Sequence, residues 1–187
     1  MKELSLHILD VARNSVEAGA TELTITLVED YDADRLDMIL EDNGRGMSAD
    51  DLRQATDAFF TTRTTRKVGL GLAMLQATCE RCEGGLEISS EPGRGTVVRS
   101  WLRLGNIDRP PLGDMGGVVQ ALACEPAIAL VYRHSVLSAR ERAHKSFELD
   151  TREIQQELGD VALTSPPVLD WLRGHVKEGL RELGSRA

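Results

Sequence analysis

Aromatic residues are scarce in this chain: two Trp, two Tyr and three Phe make up only 4% of it. The apolar fraction is nevertheless 41%, so a core has to be built from Leu, Val, Ile and Ala. Long apolar runs are also missing, since the best one, residues 118–132, is interrupted by Glu125 and Pro126. The start, "MKELSLHILD", is charged and lacks the apolar stretch of a signal peptide. We therefore expect a cytoplasmic protein with no membrane partner.

Positive charge is in deficit, with 22 Lys and Arg against 30 Asp and Glu and a net charge of −8. This balance argues against nucleic acid or an anionic membrane as a partner.

Cysteine is rare as well, and the odd count of 3 favours reduced thiols over a disulfide framework. Cys79 and Cys82 form a CxxC pair that could bind metal or cycle as a dithiol. Buried, inert thiols are the alternative, since a fourth ligand is not evident.

The hydrophobic pattern over the first 104 residues predicts the element order α-β-β-α-loop-α-β-β. The predicted elements are a helix over 3–18, a hairpin of strands 21–30 and 35–42, a short helix over 48–56, a mobile Thr-rich loop over 57–69, a helix over 70–82 and a second hairpin over 86–104. Ser48 and Asp51 have the spacing of a capping box at the start of the short helix. This order favours an α/β fold with a mixed or mostly antiparallel sheet and its helices on one face.

Residues 105–117 are the predicted linker, because they contain two prolines and four glycines without a regular period. Beyond them, residues 118–187 are predicted to form a small α/β accessory unit, with Asp150 and Ser165 as helix N-caps. Its last two helices could also form a helix-turn-helix for DNA. Acidic side chains outnumber basic ones over 105–187, however, so docking onto the preceding domain or onto a partner protein is preferred.

The first helix carries a polar stripe of His7, Asp10, Asn14 and Glu17, with Leu6, Leu9 and Val16 on another face. The stripe faces either water or a ligand. Three glycine-containing stretches follow, DNGRG over 42–46, GLG over 69–71 and GRG over 93–95. Each stretch alone is typical of a turn. Because glycine has no Cβ atom, however, a phosphate can approach the backbone N–H groups closely, and the amide oxygen of an Asn can bind Mg²⁺. Taken together in this order, they predict a site for a purine nucleotide with a metal.

These motifs resemble the GHKL nucleotide-binding superfamily, which includes DNA gyrase, the heat-shock chaperone family, histidine kinases and the mismatch-repair ATPases. The resemblance covers residues 3–104 and implies a Bergerat-type α/β sandwich, with ATP held between the sheet and a flexible lid. "LDVARNSVEAGAT" is similar to the N box, which implies that Asn14 holds Mg²⁺. "EDNGRGM" is similar to the first glycine box, which implies that Asp42 binds the adenine amino group.

The resemblance extends to the remaining boxes. "FFTTR" and "VGLGLAM" are similar to the F box and second glycine box of histidine kinases, and "EPGRGTVV" to the last box, with Thr96 near the adenine. The other nucleotide-binding residues that it implies are Gly44, Gly46, Met47, Gly69, Leu70, Gly71 and Leu72. In the predicted lid, Arg63 and Lys67 could neutralise the phosphates, or could belong to a solvated basic loop.

The sequence is compatible with three functions. Gyrase-like ATPases place a Glu four residues before the metal-binding Asn as the base for water, and this chain has the shorter Asp10 there as its candidate catalytic residue. The dimerisation domain that carries the phosphoacceptor His of sensor kinases is not expected here, and His7 is a poor acceptor candidate. The chain is expected to be a kinase-like protein acting on a separate protein, an ATPase with a lid or homodimer cycle, or an ATP-sensing module with a regulatory partner.

Overall fold

Six strands and six helices make up the part of the chain that the computed structural model describes, residues 2–55, 70–138, 143–185 and 187. The strands are β1 (Glu22–Asp30), β2 (Arg35–Asp42), β3 (Gly85–Glu91), β4 (Gly95–Arg103), β5 (Ala129–Ser138) and β6 (Ala143–Asp150). The helices are α1 (Leu4–Glu17), α2 (Ala49–Gln54), α3 (Leu70–Arg81), α4 (Met115–Ala123), α5 (Thr151–Leu158) and α6 (Pro166–Leu183). None of these helices is long and apolar enough to cross a membrane.

All six strands belong to one mixed sheet, in the order β3-β4-β2-β1-β5-β6. Neighbouring strands are antiparallel except β1 and β5, which are parallel. The predicted hairpin of β1 and β2 is closed by Asp30, whose carboxylate accepts the backbone N–H groups of Asp32 and Ala33 at 3.0 and 2.9 Å. The predicted α/β class with a mixed sheet is confirmed.

One face of the sheet is buried under helices. Along β1, Leu23, Ile25 and Leu27 are fully buried, whereas Thr24 and Thr26 between them are only half-buried. Helices α1, α3, α4 and α6 contribute to the same core as those leucines and isoleucine. The core is therefore mainly aliphatic, as the scarcity of aromatic residues predicts, with Tyr132 as a fully buried aromatic member.

Helix α1 buries one stripe of its surface against the core. Leu4, Ile8, Val11 and Ser15 are buried, at the helical spacing i, i+4, i+7 and i+11. Leu6, which lies on another face than the polar stripe, is 45% exposed. The buried stripe of α1 therefore begins at Leu4 and does not include Leu6.

The sheet continues across the predicted domain boundary, because β5 pairs with β1 from Glu22–Ala129 to Asp30–Leu137. The predicted linker also packs closely: the backbone carbonyls of Pro111 and Leu112 accept the first N–H groups of α1 at 3.0 and 2.7 Å. Helix α4 begins within that segment, at Met115. The division into residues 1–104 and 118–187 stays a prediction, but the two stretches share one sheet and one core.

The last two helices follow the predicted caps in part. Asp150 caps α5 by accepting the Arg152 N–H at 2.8 Å. Ser165 precedes α6, but its hydroxyl makes no cap hydrogen bond within the described residues. Helix α6 buries Val168, Leu172 and Val176, and packs against α4. It therefore docks onto the body of the domain, the arrangement preferred over a free recognition helix.

Two glycines of α6 provide a matched test of that docking. A Cβ at Gly179 would overlap the Phe147 ring of β6, whereas a Cβ at Gly174 would meet nothing within 4 Å. We expect Gly179→Ala to lower the free energy of unfolding by about 1–3 kcal/mol through overpacking. Gly174→Ala should raise it by about 1 kcal/mol, because alanine is the better helix former. Urea denaturation of both variants measures this, and equal effects would contradict the docking of α6 on β6.

A cluster of polar side chains lies in the core between β1, β5 and the end of α6. The Glu29 carboxylate accepts from the His134 Nε2–H at 2.7 Å, and both side chains are fully buried. The hydroxyls of Tyr31 and Ser185 donate to the same carboxylate. Burial raises the pKa of Tyr132, so its phenol stays protonated, and its hydroxyl is hydrogen-bonded to His134 Nδ1 at 2.8 Å. These bonds tie both halves of the chain together.

Candidate nucleotide-binding site

Asp42 is held from two sides at the end of β2. The Ser15 hydroxyl of α1 donates to its Oδ2 at 2.7 Å, and the Gly44 N–H donates to its Oδ1 at 2.9 Å. Each carboxylate oxygen keeps a further lone pair, so the group can still accept from a ligand. Asp42 is thus a fixed acceptor, which is what recognition of an exocyclic amine requires.

The loop after Asp42 is fastened to its neighbours through Asn43. The Asn43 Oδ1 accepts the backbone N–H groups of Thr21 and Glu22 at 2.8 and 2.9 Å. Gly44 is buried, and a Cβ there would come within 2.9 Å of the Ala18 Cβ. The first glycine motif therefore lies against the end of α1, next to the predicted N box.

Two glycines are required by the backbone at this loop. Gly46 and Gly95 have positive φ angles of 65° and 94°. A Cβ at Gly46 would overlap the backbone of Glu91, and one at Gly95 would overlap the carbonyl of Asp42. The first and last glycine motifs are therefore packed against each other, although they lie about 50 residues apart in the sequence.

Asp10 and Asn14 lie one turn apart on α1 and are both half-buried. The Asp10 carboxylate lies beside the first turn of α3, where a Cβ on Gly71 would be 3.1 Å from its Oδ2. The second glycine motif thus lets α3 approach the acid of the N box closely. Leu72, also predicted to line the site, packs partly against the core.

Several predicted site residues cannot be placed. Arg63, Lys67 and Gly69 lie outside the described residues, as do the rest of the predicted Thr-rich loop, 57–69, and residue 56 of the predicted short helix. Leu70 is described only as the first residue of α3. The structure therefore brings Asp10 of α1 close to Gly71 of α3. It also brings together four predicted residues around the end of β2, namely Asp42, Gly44, Gly46 and Thr96.

Sequence reasoning missed Ser15 and Ser90. Ser15 interrupts the buried stripe of α1, and a polar residue in an apolar stripe is the signal that could have identified it. Ser90 of β3 accepts the Met47 N–H at 2.9 Å, donates to the Gly95 carbonyl at 2.8 Å and lies 3.0 Å from the Thr96 hydroxyl. Both serines hold residues that were predicted to contact the nucleotide.

His7 belongs to the core and not to an exposed stripe. Its side chain is fully buried, with Nε2 3.3 Å from the Thr78 hydroxyl of α3. Burial lowers the pKa of His7 from 6.5 to about 4. The imidazole is therefore neutral at pH 7, which agrees with its being a poor phosphoacceptor candidate.

This burial of His7 predicts a pH-dependent stability. Because the unfolded chain binds a proton near pH 6.5 and the folded chain only near pH 4, stability is full above pH 6.5 and falls as the pH falls to 4. The loss levels off at about 3 kcal/mol, since one pKa unit is worth about 1.4 kcal/mol. Urea midpoints between pH 4 and 7 should show this slope, and His7→Gln should reduce it. The exposed His144→Gln serves as control, and an unchanged slope in His7→Gln would contradict the assignment.

The CxxC pair is buried. Cys79 and Cys82 have no exposed surface, and burial raises the pKa of both thiols, that of Cys79 to about 12. Thiolate chemistry is therefore disfavoured at neutral pH. Cys124 is exposed at the end of α4. No group of three His, Cys, Asp or Glu side chains suited to a metal occurs among the described residues.

Comparison with known proteins identifies the family. Residues 2–106 match the family of histidine kinase-, DNA gyrase B- and HSP90-like ATPases, so the chain belongs to this family. The match covers all the residues placed around the end of β2, and it supports ATP binding. A solved structure, the N-terminal domain of a DNA repair protein, is similar in fold, with a TM-score of 0.56 at 13% identity over 87% of this chain and 59% of that one.

Curated relatives are sensor proteins. The chain is 33% identical over 91 residues to the sensor protein DegM of Bacillus sp. (strain B21-2), which covers 49% of this chain and 24% of DegM. It is 31% identical over 100 residues to the sensor histidine kinase ZraS of Salmonella typhi, which covers 53% of this chain and 21% of ZraS. The chain thus spans less than a quarter of the length of these relatives.

Proposed function

We propose that this chain binds Mg-ATP and transfers the γ-phosphoryl group to a separate protein, as a cytoplasmic regulatory kinase. The observation that carries this proposal is the likeness of the ATPase domain to sensor histidine kinases. The anchored carboxylate of Asp42 supports adenine binding, because it offers free lone pairs in a fixed position. The buried thiols of Cys79 and Cys82 agree with a reducing compartment.

The residues present suit a magnesium nucleotide. The amide oxygen of Asn14 is a neutral, hard ligand, and Mg²⁺ typically takes few protein ligands together with phosphate oxygens. When bound, Mg²⁺ would neutralise charge on the phosphates. Asn14 would hold the ion, and Gly71 would admit the phosphates near α3. Arg63 and Lys67, which the resemblance assigns to a lid, would bind the phosphates as well.

A second candidate function is ATP hydrolysis coupled to a lid or homodimer cycle. The observation that favours it is the carboxylate of Asp10, which lies one turn from Asn14 and against α3. An acid in that position can orient water for attack on the γ-phosphorus. If Asp10 is the base, Asp10→Asn should reduce hydrolysis about 100-fold or more while ATP binding persists.

The two candidates are separated by incubating the protein with γ-labelled ATP and Mg²⁺, first alone and then with a cell extract. Label that appears on a protein with the wild-type chain, but not with Asp42→Ala, supports the kinase. Steady release of phosphate by the purified chain, lost in Asp10→Asn, overturns the kinase in favour of the ATPase. Bound ATP without either product, even with the extract, leaves an ATP-sensing module with a regulatory partner as the function.

A further inference from the structure

Three hydroxyl and carboxyl side chains form a row across adjacent strands beside the predicted adenine position. Thr96 of β4 is directly opposite Asp42 of β2 on one side and Ser90 of β3 on the other. Residues directly opposite each other project from the same face of a sheet. This is the helix-covered face, because the next pair in register, Leu40 and Val98, is buried.

The hydrogen bonds of Ser90 determine where each proton lies. A serine hydroxyl has one proton to donate and two lone pairs. Since the carbonyl of Gly95, 2.8 Å away, can only accept, the Ser90 proton is committed to it. The Met47 N–H donates to one lone pair of Ser90 at 2.9 Å, which leaves the other for Thr96 at 3.0 Å. Thr96 must therefore be the donor in its bond with Ser90.

This arrangement leaves Thr96 with lone pairs alone for any further partner. Asp42, opposite it, is also an acceptor, because its carboxylate takes protons from Ser15 and Gly44 and has none to give. Two neighbouring acceptors suit an exocyclic amine, directly or through water. They disfavour a keto oxygen, which is itself an acceptor and could form no hydrogen bond with the lone pairs of Asp42 and Thr96.

We propose that Ser90 is a positioning residue that sets the base selectivity of the site, by holding the Thr96 hydroxyl as an acceptor beside Asp42. This inference rests on the proposed function, since it takes the site to be the ATP site. The bond from Met47 adds a second role, because it fixes the loop of the first glycine motif to the same serine. Substrates with a 6-amino purine are thereby favoured over those with a 6-keto purine.

The test compares the affinities of ATP and inosine triphosphate, which carries a keto oxygen in place of the amine. Both are measured by calorimetry on the full chain. In Ser90→Ala the ratio of the two affinities should fall about fivefold to tenfold, the range that one ordinary hydrogen bond makes in a binding constant. Ser90→Thr should restore the ratio. Ser89→Ala, on the exposed face of the same strand, should leave it unchanged.

A double-mutant cycle with Thr96→Val shows whether Ser90 acts through Thr96. Thr96→Val alone should lower the ratio, and Ser90→Ala should then lower it no further. A ratio that is unchanged in Thr96→Val overturns the inference, even if Ser90→Ala does not fold. Equal weakening of both nucleotides by Ser90→Ala also overturns it, in favour of a merely structural role. If the wild type binds no ATP at all, the proposed function fails, and this inference with it.

Discussion

Asp42→Ala is expected to weaken ATP binding roughly 30- to 150-fold without unfolding the chain, since a hydrogen bond to a charged group is worth about 2–3 kcal/mol. The carboxylate is the one group in the described site that is both held from two sides and charged. Its loss would leave the adenine amine of the proposed complex without its acceptor. It also leaves the Ser15 hydroxyl and the Gly44 N–H, which belong to buried residues, without this acceptor.

The control for this experiment is Glu41→Ala. Glu41 is adjacent in β2 but exposed on the opposite face of the sheet, so its removal changes the charge equally without touching the site. Calorimetry with Mg-ATP measures both variants, and thermal melting without nucleotide checks that both are folded. Equal affinities in Asp42→Ala and Glu41→Ala would contradict the assignment of Asp42.

Glu29→Ala is expected to lower the free energy of unfolding by about 3–5 kcal/mol, the cost of removing one partner from a buried polar pair. The substitution would leave the imidazole of His134 and the hydroxyls of Tyr31 and Ser185 without their shared acceptor. His134 is fully buried, so water cannot easily replace the carboxylate. Because these hydrogen bonds join β1 to β5 and to the end of α6, their loss should destabilise the whole sheet and not only β1.

Glu22→Ala is the matched control on the same strand. Glu22 is exposed and forms an ion pair with Arg152 at 3.3 Å, so its removal should cost about 0–1 kcal/mol. Urea denaturation of both variants at pH 7 gives the comparison. A loss in Glu29→Ala no larger than that in Glu22→Ala would show that the polar cluster does not hold the two halves together.

Local signals in the sequence predicted most of the elements. The alternation of β1 and the capping box at Ser48 each depend on neighbours within a few residues, and each has the predicted structure. The candidate site residues could be selected from the sequence for the same reason, since the motifs around Asn14, Asp42 and Gly71 are short and contiguous, and their roles stay a prediction. Arg63 and Lys67 lie outside the described residues, so their predicted roles stay predictions.

Long-range pairing could not be predicted. The parallel pairing of β1 with β5 joins strands that are about 100 residues apart, and no pattern within either strand indicates which strand it pairs with. That contact also explains why Glu29 points inward in β1, since its partner His134 lies on β5. The roles of Ser15 and Ser90 also depend on residues distant in the sequence, since Ser15 bonds to Asp42 and Ser90 accepts the Met47 N–H.

The most direct test of the central claim is a calorimetric titration of the 187-residue chain with ATP in the presence of Mg²⁺. The account predicts one saturable site per chain, weakened by Asp42→Ala and by Asn14→Ala, with the affinity for ATP reduced when Mg²⁺ is removed. Wild-type affinity in either variant would show that the site is misplaced. The absence of any saturable binding by the wild-type chain would contradict the account as a whole.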